Sequence, residues 1–563
     1  MDTDVLGPLT TFLLSLLIGI PLGKYLAKVY ANEKTLLDAV MSPVERMLFR
    51  LGGVDAGREQ HWKEQIRIML VINLVWFALG IFILTNQSWL PLNPDNNPDQ
   101  SLSLSFNTAI SFVVNANLQH YAGETGVSYL GQIYLIFLQF VSAATGMAAA
   151  ATLFHALRQG SHHTQGNYYA FLVKSVTRVL FPISVMVGII LLFSGTPMTF
   201  EGKQLMTTLQ GDTVSVSTGP VAAFVPIKHL GTNGGGFFGA NSAHPFENTT
   251  YLTNMLQLVS QTIIPFAMVF ALGFFLKKKK LSLMIWGVMT VGFLLLVMPT
   301  IVTEIGGNPH VEAMGADVSQ GNMEGKEVRF GSATSAYWSI ATTAISTGSV
   351  NSMHGSYMPL SMMNMLLAMM TNSFYGGVGV GILNFFVFII LAVFISGLMV
   401  GRTPEFLGKK VEAKEIKIAM IVALIHPLLI LTGTALSVGM PTLASNGLDT
   451  SGFHGFSEIL YEFTSASSNN GSGLEGLADN TPWWNLSTGL VLLLSRFIPI
   501  IGSVAIAGCL SAKKHIPDSV GTLKTDNPTF GILVFAVIFI VTALSFFPAL
   551  SLGPIAEYFT IIH

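Results

Sequence analysis

Four short, uncharged stretches of this sequence combine asparagine with small residues, and each follows a short apolar segment that lies between two longer ones. An asparagine recurs at an equal interval in these stretches, at Asn115, Asn233, Asn351 and Asn469. Backbone carbonyl groups from four such loops around one axis can replace the hydration shell of a cation. The equal interval therefore predicts fourfold internal repetition around a cation-selective filter.

The candidate filter residues lie around these asparagines, and none of them is charged. They are Asn115, Ala116 and Asn117; Thr232, Asn233, Gly234 and Gly235; Thr347, Gly348, Ser349, Val350 and Asn351; and Ser468, Asn469, Asn470 and Gly471. Sites for divalent cations usually recruit Asp or Glu, whereas carbonyl dipoles alone can hold a weakly hydrated monovalent ion. The composition of the loops therefore favours potassium over calcium or magnesium.

Glycine has a specific use in such a loop. Carbonyl groups that all point inward require backbone angles that residues with a Cβ reach only at a cost. We therefore expect a bulky or charged residue in place of Gly235 to damage selectivity. The alternative is that the stretches are ordinary Gly/Asn turns between helices. Repetition of the pattern in four equivalent places argues against that alternative.

The composition is typical of a membrane protein. Hydrophobic residues make up 51% of the chain and charged residues only 10%. The 28 Lys and Arg nearly balance the 30 Asp and Glu, so no excess charge indicates a nucleic-acid partner. A single cysteine, Cys509, excludes an intrachain disulfide and a cysteine metal cluster. We therefore expect the lipid bilayer to be the main environment of the chain.

Ten apolar runs are long enough to cross a bilayer as helices. We expect an all-α polytopic membrane protein with four repeats of helix, pore loop and helix around a central potassium filter. One extra transmembrane helix is expected at each end of the chain. The predicted segments are 1–30 for the first extra helix, 31–65 for a cytoplasmic segment, 66–155, 170–276, 281–400 and 416–510 for the four repeats, and 530–563 for the last helix.

The uneven distribution of positive charge predicts the orientation. Lys and Arg concentrate in the segments that follow the odd-numbered spans, such as Lys277 to Lys280, whereas the other connections hold few. The basic segments should face the cytoplasm, which places both termini and all four pore loops outside. Irregular backbone at membrane depth is tolerated where it is buried or lines a watery cavity. Four such loops therefore predict a shared vestibule that opens outward.

Two further features lie where they could control passage below the filter. The apolar run at 362–400 is longer than one bilayer crossing, and the glycines that interrupt it predict a broken helix; they are Gly376, Gly377, Gly379 and Gly381. The alternative is a flexible turn that joins a pore loop to its helix.

Arg496 lies in the middle of the ninth span, where a cation is costly and typically marks an ion path. Its alternatives are a structural pairing with a buried carbonyl or acid, or snorkelling.

Several strings in the sequence resemble the KdpA family, the potassium-binding subunits of bacterial Kdp potassium-pumping P-type ATPases. They are FNTAISFVVNANLQHYAGE at 106–124, GTNGGGFFGANSAHPFEN at 231–248, VNSMH at 350–354 and TSASSNNGSGLEGL at 464–477. The resemblance implies a single-chain relative of tetrameric potassium channels in the bacterial inner membrane. It also implies that the third-repeat loop blocks straight flow, so that potassium passes sideways through an intramembrane tunnel to an ATPase subunit.

The implied complex also contains a subunit with one membrane helix and a very small membrane peptide. The sequence itself has neither a Gly-x-x-x-x-Gly-Lys-[Ser/Thr] phosphate loop nor an Asp-Lys-Thr-Gly phosphorylation motif. We therefore expect a non-catalytic subunit that binds K⁺ as substrate and uses no other cofactor.

The main alternative function is a freestanding potassium channel or a Trk/Ktr-like transporter. A secondary transporter fits less well, because twofold repeats are expected there.

Overall fold

The computed structural model describes residues 3–158, 160–440, 448, 451–517 and 524–562, which are mostly helical. Its long helical segments are α1 (Thr3–Tyr30), α3 (Trp62–Leu84), α6 (Tyr129–Ala156), α7 (Tyr168–Ser175) joined by a π turn to α8 (Phe181–Phe193), α10 (Tyr251–Phe275), α11 (Lys279–Ile305), α15 (Val380–Val400), α16 (Ala413–Gly439), α18 (Pro482–Ser511) and α19 (Pro528–Leu552). With α7 and α8 as one segment, ten are long and apolar enough to cross a membrane. The ten predicted spans are confirmed.

Shorter elements connect these spans. The short helices are α2 (Asp38–Leu51), α4 (Leu102–Val113), α5 (Gly123–Gly126), α9 (Val221–Leu230), α12 (Pro309–Ala313), α13 (Gly331–Ala344), α14 (Pro359–Thr371), α17 (Gly452–Ser468) and α20 (Pro554–Ile562). Two antiparallel hairpins pair β1 (Gln204–Thr207) with β2 (Thr213–Val216), and β3 (Glu405–Phe406) with β4 (Lys409–Lys410). The hairpins lie in connections between the spans.

The order of the elements repeats four times. In each repeat a short helix, called here a pore helix, lies in the chain between two spans; the four pore helices are α4, α9, α13 and α17. Most of their residues are buried. Helices α1 and α19 lie outside the four repeats in the chain. The stretch 441–447, which belongs to the predicted fourth repeat, lies outside the described residues.

Small and hydroxyl-bearing side chains allow other helices to surround a pore helix closely. Helix α13 consists largely of Ser, Ala and Thr, and every residue from Ser332 to Ala344 is buried. A buried hydroxyl group must find an acceptor, and Thr343 Oγ1 donates to the Ser339 carbonyl oxygen at 2.7 Å. Small residues therefore bring backbones together, and the hydroxyl groups of Ser339 and Thr343 are satisfied within the helix.

The first extra helix packs along α10 through small residues. Ser15 and Thr262 share a hydrogen bond of 2.5 Å between their hydroxyl oxygens. An ideal Cβ placed on Gly23 would lie 2.7 Å from the Ala267 carbonyl oxygen and 2.8 Å from Phe270 Cβ. The two backbones are therefore too close for any side chain at Gly23.

Replacing Gly23 tests this contact. We expect Gly23→Leu to cost about 1–3 kcal/mol through overpacking and to lower the melting temperature of the detergent-solubilised chain, measured by thermal unfolding. Gly287→Leu is the matched control, because an ideal Cβ on Gly287 meets nothing within 4 Å. Equal melting temperatures for the two variants would contradict close packing of α1 on α10.

Candidate functional site

All four pore helices end in the same backbone geometry. The residue that leaves each helix has a left-handed conformation, at Asn115 (φ 68°), Thr232 (φ 48°), Ser346 (φ 53°) and Asn469 (φ 53°). The backbone N–H of the next residue donates to the carbonyl oxygen five positions back, from Ala116 to Ser111 at 3.0 Å, Asn233 to Lys228 at 2.8 Å, Thr347 to Thr342 at 2.8 Å and Asn470 to Ser465 at 2.9 Å. This closure is the Schellman pattern of a helix C-terminus. The four loops that begin at these residues, called here the filter loops after their predicted role, therefore leave their pore helices in equivalent conformations.

The four loops repeat, but the equal interval between asparagines does not coincide with their structural register. Asn233 follows the left-handed Thr232, and Asn351 lies beyond Ser346 in the segment that leaves the third loop. The Asn351 side-chain amide donates to Asn254 Oδ1 at 3.1 Å. The reason is physical: the left-handed position accepts Asn, Thr or Ser here, so the backbone position recurs while the residue type does not.

The backbones of the loops approach one another at glycines. The N–H of Gly234 donates to the Ala116 carbonyl oxygen at 2.9 Å. An ideal Cβ on Gly234 would lie 2.5 Å from the Ala116 carbonyl oxygen, and an ideal Cβ on Gly471 would overlap the same oxygen. An ideal Cβ on Gly348 would overlap the Asn470 carbonyl oxygen. A side chain at any of these three glycines would therefore push a neighbouring loop away.

The first loop has Asn117 where the third and fourth loops have Gly348 and Gly471. All three residues lie two positions after the left-handed end of their pore helix, and all three have positive φ, with φ 57° at Asn117. Asparagine tolerates this region better than most residues with a side chain. The Asn117 amide donates to the Gly234 carbonyl oxygen at 3.4 Å, which adds a link between the first two loops.

Gly235 lies slightly away from this closest approach. Its φ is +62°, and an ideal Cβ there would lie 3.0 Å from the Gln119 side chain and 3.1 Å from Asn117 Cβ. Gln119 in turn accepts from the Gly236 N–H at 2.7 Å and donates to the Gly236 carbonyl oxygen at 3.2 Å. A larger residue at Gly235 would therefore disturb the junction of the first and second loops.

Polar side chains of the loops bind the surrounding scaffold. Asn115 Nδ2 donates to the carbonyl oxygens of Gly231 and Thr232, both at 3.0 Å. Asn470 Nδ2 donates to the Thr342 carbonyl oxygen at 2.7 Å, and Asn469 Nδ2 donates to Ser495 Oγ at 3.2 Å. Asn115 and Asn470 therefore hold adjacent repeats together, whereas Asn469 binds within the fourth repeat.

Ser349 belongs to this scaffold, although the sequence places it among the filter residues. Its carbonyl oxygen accepts from Trp338 Nε1 at 2.7 Å, and its hydroxyl lies 3.0 Å from His229 Nε2. Both polar groups of Ser349 are thus engaged with pore helices. Thr347 and Gly348 precede it in the part of the loop that approaches the other repeats, and Val350 follows it, partly buried.

The predicted interruption in the third repeat is present. Helix α14 ends at Thr371, α15 begins at Val380, and the segment between them, called here the crossing loop (372–379), contains five left-handed residues. They are Asn372, Tyr375, Gly376, Gly377 and Gly379. An ideal Cβ on Gly381 would overlap the Tyr375 carbonyl oxygen, so the start of α15 also requires a glycine.

The crossing loop lies against the C-terminal ends of two pore helices. The N–H of Gly376 donates to the Ala344 carbonyl oxygen at 3.0 Å, and that of Val378 donates to Thr232 Oγ1 at 3.0 Å. Ser346 Oγ donates to Asn372 Oδ1 at 3.1 Å. The loop is therefore hydrogen-bonded at the points where the second and third filter loops begin.

Arg496 lies beside the crossing loop and is buried. Its Nη2 is 3.5 Å from the Ser142 carbonyl oxygen. Gly146 lies between Arg496 and the crossing loop: an ideal Cβ on Gly146 would be 3.3 Å from Arg496 Nη2 and would overlap the Val378 carbonyl oxygen. Within the described ranges no carboxylate oxygen lies within 4.0 Å of the Arg496 guanidinium. Pairing with a backbone carbonyl is thus observed, and snorkelling to the surface is not.

A small cavity of about 50 Å³ lies next to this region. Its lining includes Asn372 of the crossing loop, Ser467 of α17 and Ser495, which precedes Arg496. Other lining residues come from α15, α16 and α19. An open groove along α16 and α19 shares Ile425 and Ser545 with the cavity. The cavity and the groove therefore lie next to each other between the pore-helix ends and the surface of the chain.

Carboxylates lie near the filter loops but not within them. Burial raises the pKa of Glu475 to about 7, although its side chain accepts from the Gly355 N–H at 2.9 Å. Burial lowers the pKa of His120, but the nearby Asp479 and Glu462 carboxylates outweigh it and raise the value to about 9. His120 Nε2 lies 3.2 Å from Glu462 Oε1. This region therefore contains buried ionisable groups of both signs.

Two parts of this arrangement were missed by sequence reasoning. The left-handed Ser346 was not selected, although a Ser/Thr/Gly run directly after a pore helix is a signal for such an end. The cluster of His120, Glu462 and Asp479 joins residues far apart in the chain, and nothing in their local spacing indicates it. Glu462 and Asp479 lie outside any metal-binding motif that a single sequence would show.

Comparison with known proteins agrees with the membrane fold. The family model described as KdpA, potassium-transporting ATPase A subunit, matches residues 9–559. Proteins named potassium-transporting ATPase potassium-binding subunit are 62% identical in Flavobacterium psychrophilum and 45% identical in Geobacillus kaustophilus, over 100% and 98% of both chains. The crystal structure of the potassium transporter TrkH from Vibrio parahaemolyticus has a similar fold, with a TM-score of 0.51 and 13% identity over 89% of this chain and 98% of TrkH.

Replacing Gly348 tests the close approach of the loops. Gly348 and Gly315 have nearly the same φ, +84° and +85°, but an ideal Cβ overlaps Asn470 only at Gly348 and meets nothing within 4 Å at Gly315. We expect Gly348→Ala to cost about 1–3 kcal/mol more than Gly315→Ala and to weaken potassium binding roughly tenfold or more. Isothermal titration of the purified chain with potassium measures the change in potassium affinity. Equal affinities for the two variants would contradict a filter at the glycines.

Proposed function

Because this chain belongs to the family of potassium-transporting ATPase A subunits, we propose that its four loops form a filter that captures potassium for an ATP-driven uptake pump. The chain is a bacterial multi-pass membrane protein and a non-catalytic, potassium-binding subunit of that ATPase. The proposal concerns how it binds the ion and where the ion goes next. Its main support is the meeting of four equivalent, uncharged loop backbones.

The proposed ligands are carbonyl oxygens of the residues that follow the four left-handed helix ends. These residues are Ala116, Asn233, Thr347 and Asn470. Their equivalent position in the four repeats supports the assignment, as does the engagement of neighbouring side chains with the scaffold. Carbonyl dipoles can replace the water of a weakly hydrated cation without a deep energy minimum. Potassium is therefore the favoured ion, and magnesium or calcium would lack carboxylate ligands.

The same helix ends favour a cation electrostatically. The backbone dipoles of an α-helix give its C-terminus a partial negative charge equivalent to about half an elementary charge. Four pore helices end at the filter loops. Their C-terminal carbonyl groups would therefore attract potassium at the inner end of the filter.

The proposed route beyond the filter is sideways. The crossing loop covers the ends of α9 and α13, and the buried charge of Arg496 beside it would repel a cation moving straight on. The cavity beside the crossing loop extends between α15, α16 and α19 toward an open groove. We assign this cavity to the passage that delivers potassium to the ATPase subunit.

The proposed complex contains the ATPase subunit, a subunit with a single membrane helix and a very small membrane peptide. ATP hydrolysis belongs to the ATPase subunit in this proposal. The distribution of Lys and Arg supports an orientation with the basic connections in the cytoplasm and both termini outside. Potassium would then enter the filter from the extracytoplasmic side of the inner membrane.

Flux through the chain alone separates this function from that of a channel. Purified chain in liposomes should bind potassium and rubidium in preference to sodium but should show no leak, because the crossing loop closes the direct path. A Gly235→Asp variant, which adds a carboxylate at the junction of the first two loops, should lose selective binding. A potassium-selective leak from the wild-type chain would favour the freestanding channel or Trk/Ktr-like alternative.

Filling the cavity tests the lateral route. Thr542 lines the cavity on α19, and we expect Thr542→Trp to abolish ATP-driven rubidium uptake by the assembled complex because the indole occupies the passage. Potassium binding by the variant should remain at the wild-type level. Ile540→Trp is the matched control, because Ile540 lies on the same helix with 53% of its surface exposed. Normal uptake by the Thr542→Trp complex would contradict the assignment of the cavity.

A further inference from the structure

A cluster of metal-ligating side chains lies where the first repeat meets the fourth. His120 follows the first filter loop, Glu462 lies on α17, and Asp479 follows the fourth filter loop. The side chains of His120 and Glu462 are 0% and 1% exposed, and that of Asp479 is 26% exposed. A path for water or an ion therefore exists on the Asp479 side. The proposed potassium filter uses none of these three side chains.

The distances within the cluster match those of a metal site. One ligand atom from each of the three residues lies within 4.8 Å of the other two. His120 Nε2 is 3.2 Å from Glu462 Oε1 and 3.8 Å from Asp479 Oδ2. Tetrahedral zinc has bonds of about 2.0–2.2 Å to nitrogen and oxygen ligands, which separates neighbouring ligands by roughly 3.3 Å. Small side-chain rotations would thus bring all three atoms to bonding distance of one ion.

The other ring nitrogen of His120 is held by a second residue. His120 Nδ1 lies 2.7 Å from Asn485 Oδ1, and an amide oxygen accepts a hydrogen bond, so Nδ1 carries the proton. Asn485 is itself fixed, because its backbone carbonyl oxygen accepts from Asn107 Nδ2 at 3.0 Å and its side-chain Nδ2 donates to Asn480 Oδ1 at 3.1 Å. A histidine that binds a metal typically donates its second N–H in this way. The hydrogen bond directs Nε2 toward the two carboxylates.

The charge of the cluster also favours a divalent cation. Two carboxyl groups share one imidazole, which balances only one of them when it is protonated, in a mostly buried place where unbalanced negative charge is costly. A divalent ion would take the place of the Nε2 proton and neutralise both carboxylates. Imidazole nitrogen with carboxylate oxygen suits first-row transition metals, whereas magnesium, calcium and alkali ions prefer oxygen ligands alone.

We propose that His120, Glu462 and Asp479 form a binding site for one divalent transition metal ion of the zinc type, separate from the potassium filter. The three side chains supply three ligands, and water supplies the fourth position. The ion ties the segment that leaves the first filter loop to the fourth pore helix and to the segment that leaves the fourth loop. Binding therefore stabilises the contact between the first and fourth repeats.

Metal binding to the full-length chain tests the site directly. The purified chain, stripped with a chelator, is titrated with Zn²⁺ against a chromophoric zinc chelator, and melting temperatures are recorded with and without Zn²⁺. We expect one tight site and a higher melting temperature with zinc, because a ligand that binds the folded chain stabilises it. Co²⁺ at the same site should give the visible absorption bands of tetrahedral coordination.

Variants of the cluster separate this site from other histidines. His120→Ala and Glu462→Gln should each lower the zinc affinity more than about 100-fold, and Asn485→Ala, which removes only the orienting hydrogen bond, about 10–100-fold. Retained potassium binding shows that a variant is folded. His454→Ala is the matched control: His454 also lies near two carboxylates, but Nδ1 faces Glu557 at 2.8 Å and Nε2 faces Glu458 at 3.9 Å, so they do not converge on one ion.

Two results would overturn the proposal. One is the absence of a tight zinc site in the wild-type chain. The other is a zinc site that is unchanged in folded His120→Ala and Glu462→Gln chains, or that is lost in His454→Ala. In either case the cluster acts only as an ion pair between repeats.

Discussion

The close approach of four backbones at the filter loops is the constraint on which the rest of the structure depends. Four polar loops can meet inside a membrane only if their backbone groups are directed by neighbouring structure. The left-handed closure at Asn115, Thr232, Ser346 and Asn469 provides that direction, because it ends each helix with the same hydrogen-bond pattern. Glycine then permits contact at Gly234, Gly348 and Gly471, where a Cβ would collide with another loop.

The scaffold around the loops follows from this constraint. The pore helices must be short and buried, and small hydroxyl residues allow the spans to approach them closely. Amide side chains of the loops bind carbonyl groups of neighbouring repeats, as Asn470 does with Thr342. The four repeats share a backbone plan but not their side chains. This difference is needed in a single chain that has a crossing loop in one repeat and a lateral cavity beside it.

The asymmetry is also what distinguishes the proposed inlet of a pump from a simple pore. Only the third repeat contributes the crossing loop, and it binds the ends of the second and third pore helices. Arg496 of the fourth repeat lies beside the same loop. The cavity between α15, α16 and α19 begins at this point. The proposed closure of the direct path and the proposed opening to the side are therefore both assigned to one small region.

The sequence predicts the spans and the interrupted helix because both depend on local features: the length of an apolar run for a span, and clustered glycines for the interruption. It also predicts uncharged loops, since residue type alone decides their charge. The register of the third loop could not be predicted from asparagine, because Ser346 satisfies the same backbone position and Asn351 instead binds Asn254. Contacts such as that of His120 with Glu462 depend on how the first and fourth repeats pack together. The local sequence around each residue does not predict that packing.

Anomalous X-ray diffraction from crystals of the assembled complex grown in rubidium would locate the bound ion. We expect a rubidium peak between the four loops, surrounded by the carbonyl oxygens of Ala116, Asn233, Thr347 and Asn470. Gly348→Ala crystals should show that peak weakened. A strong rubidium peak held by side-chain carboxylates, with none between the four loops, would contradict a filter made of backbone carbonyl groups.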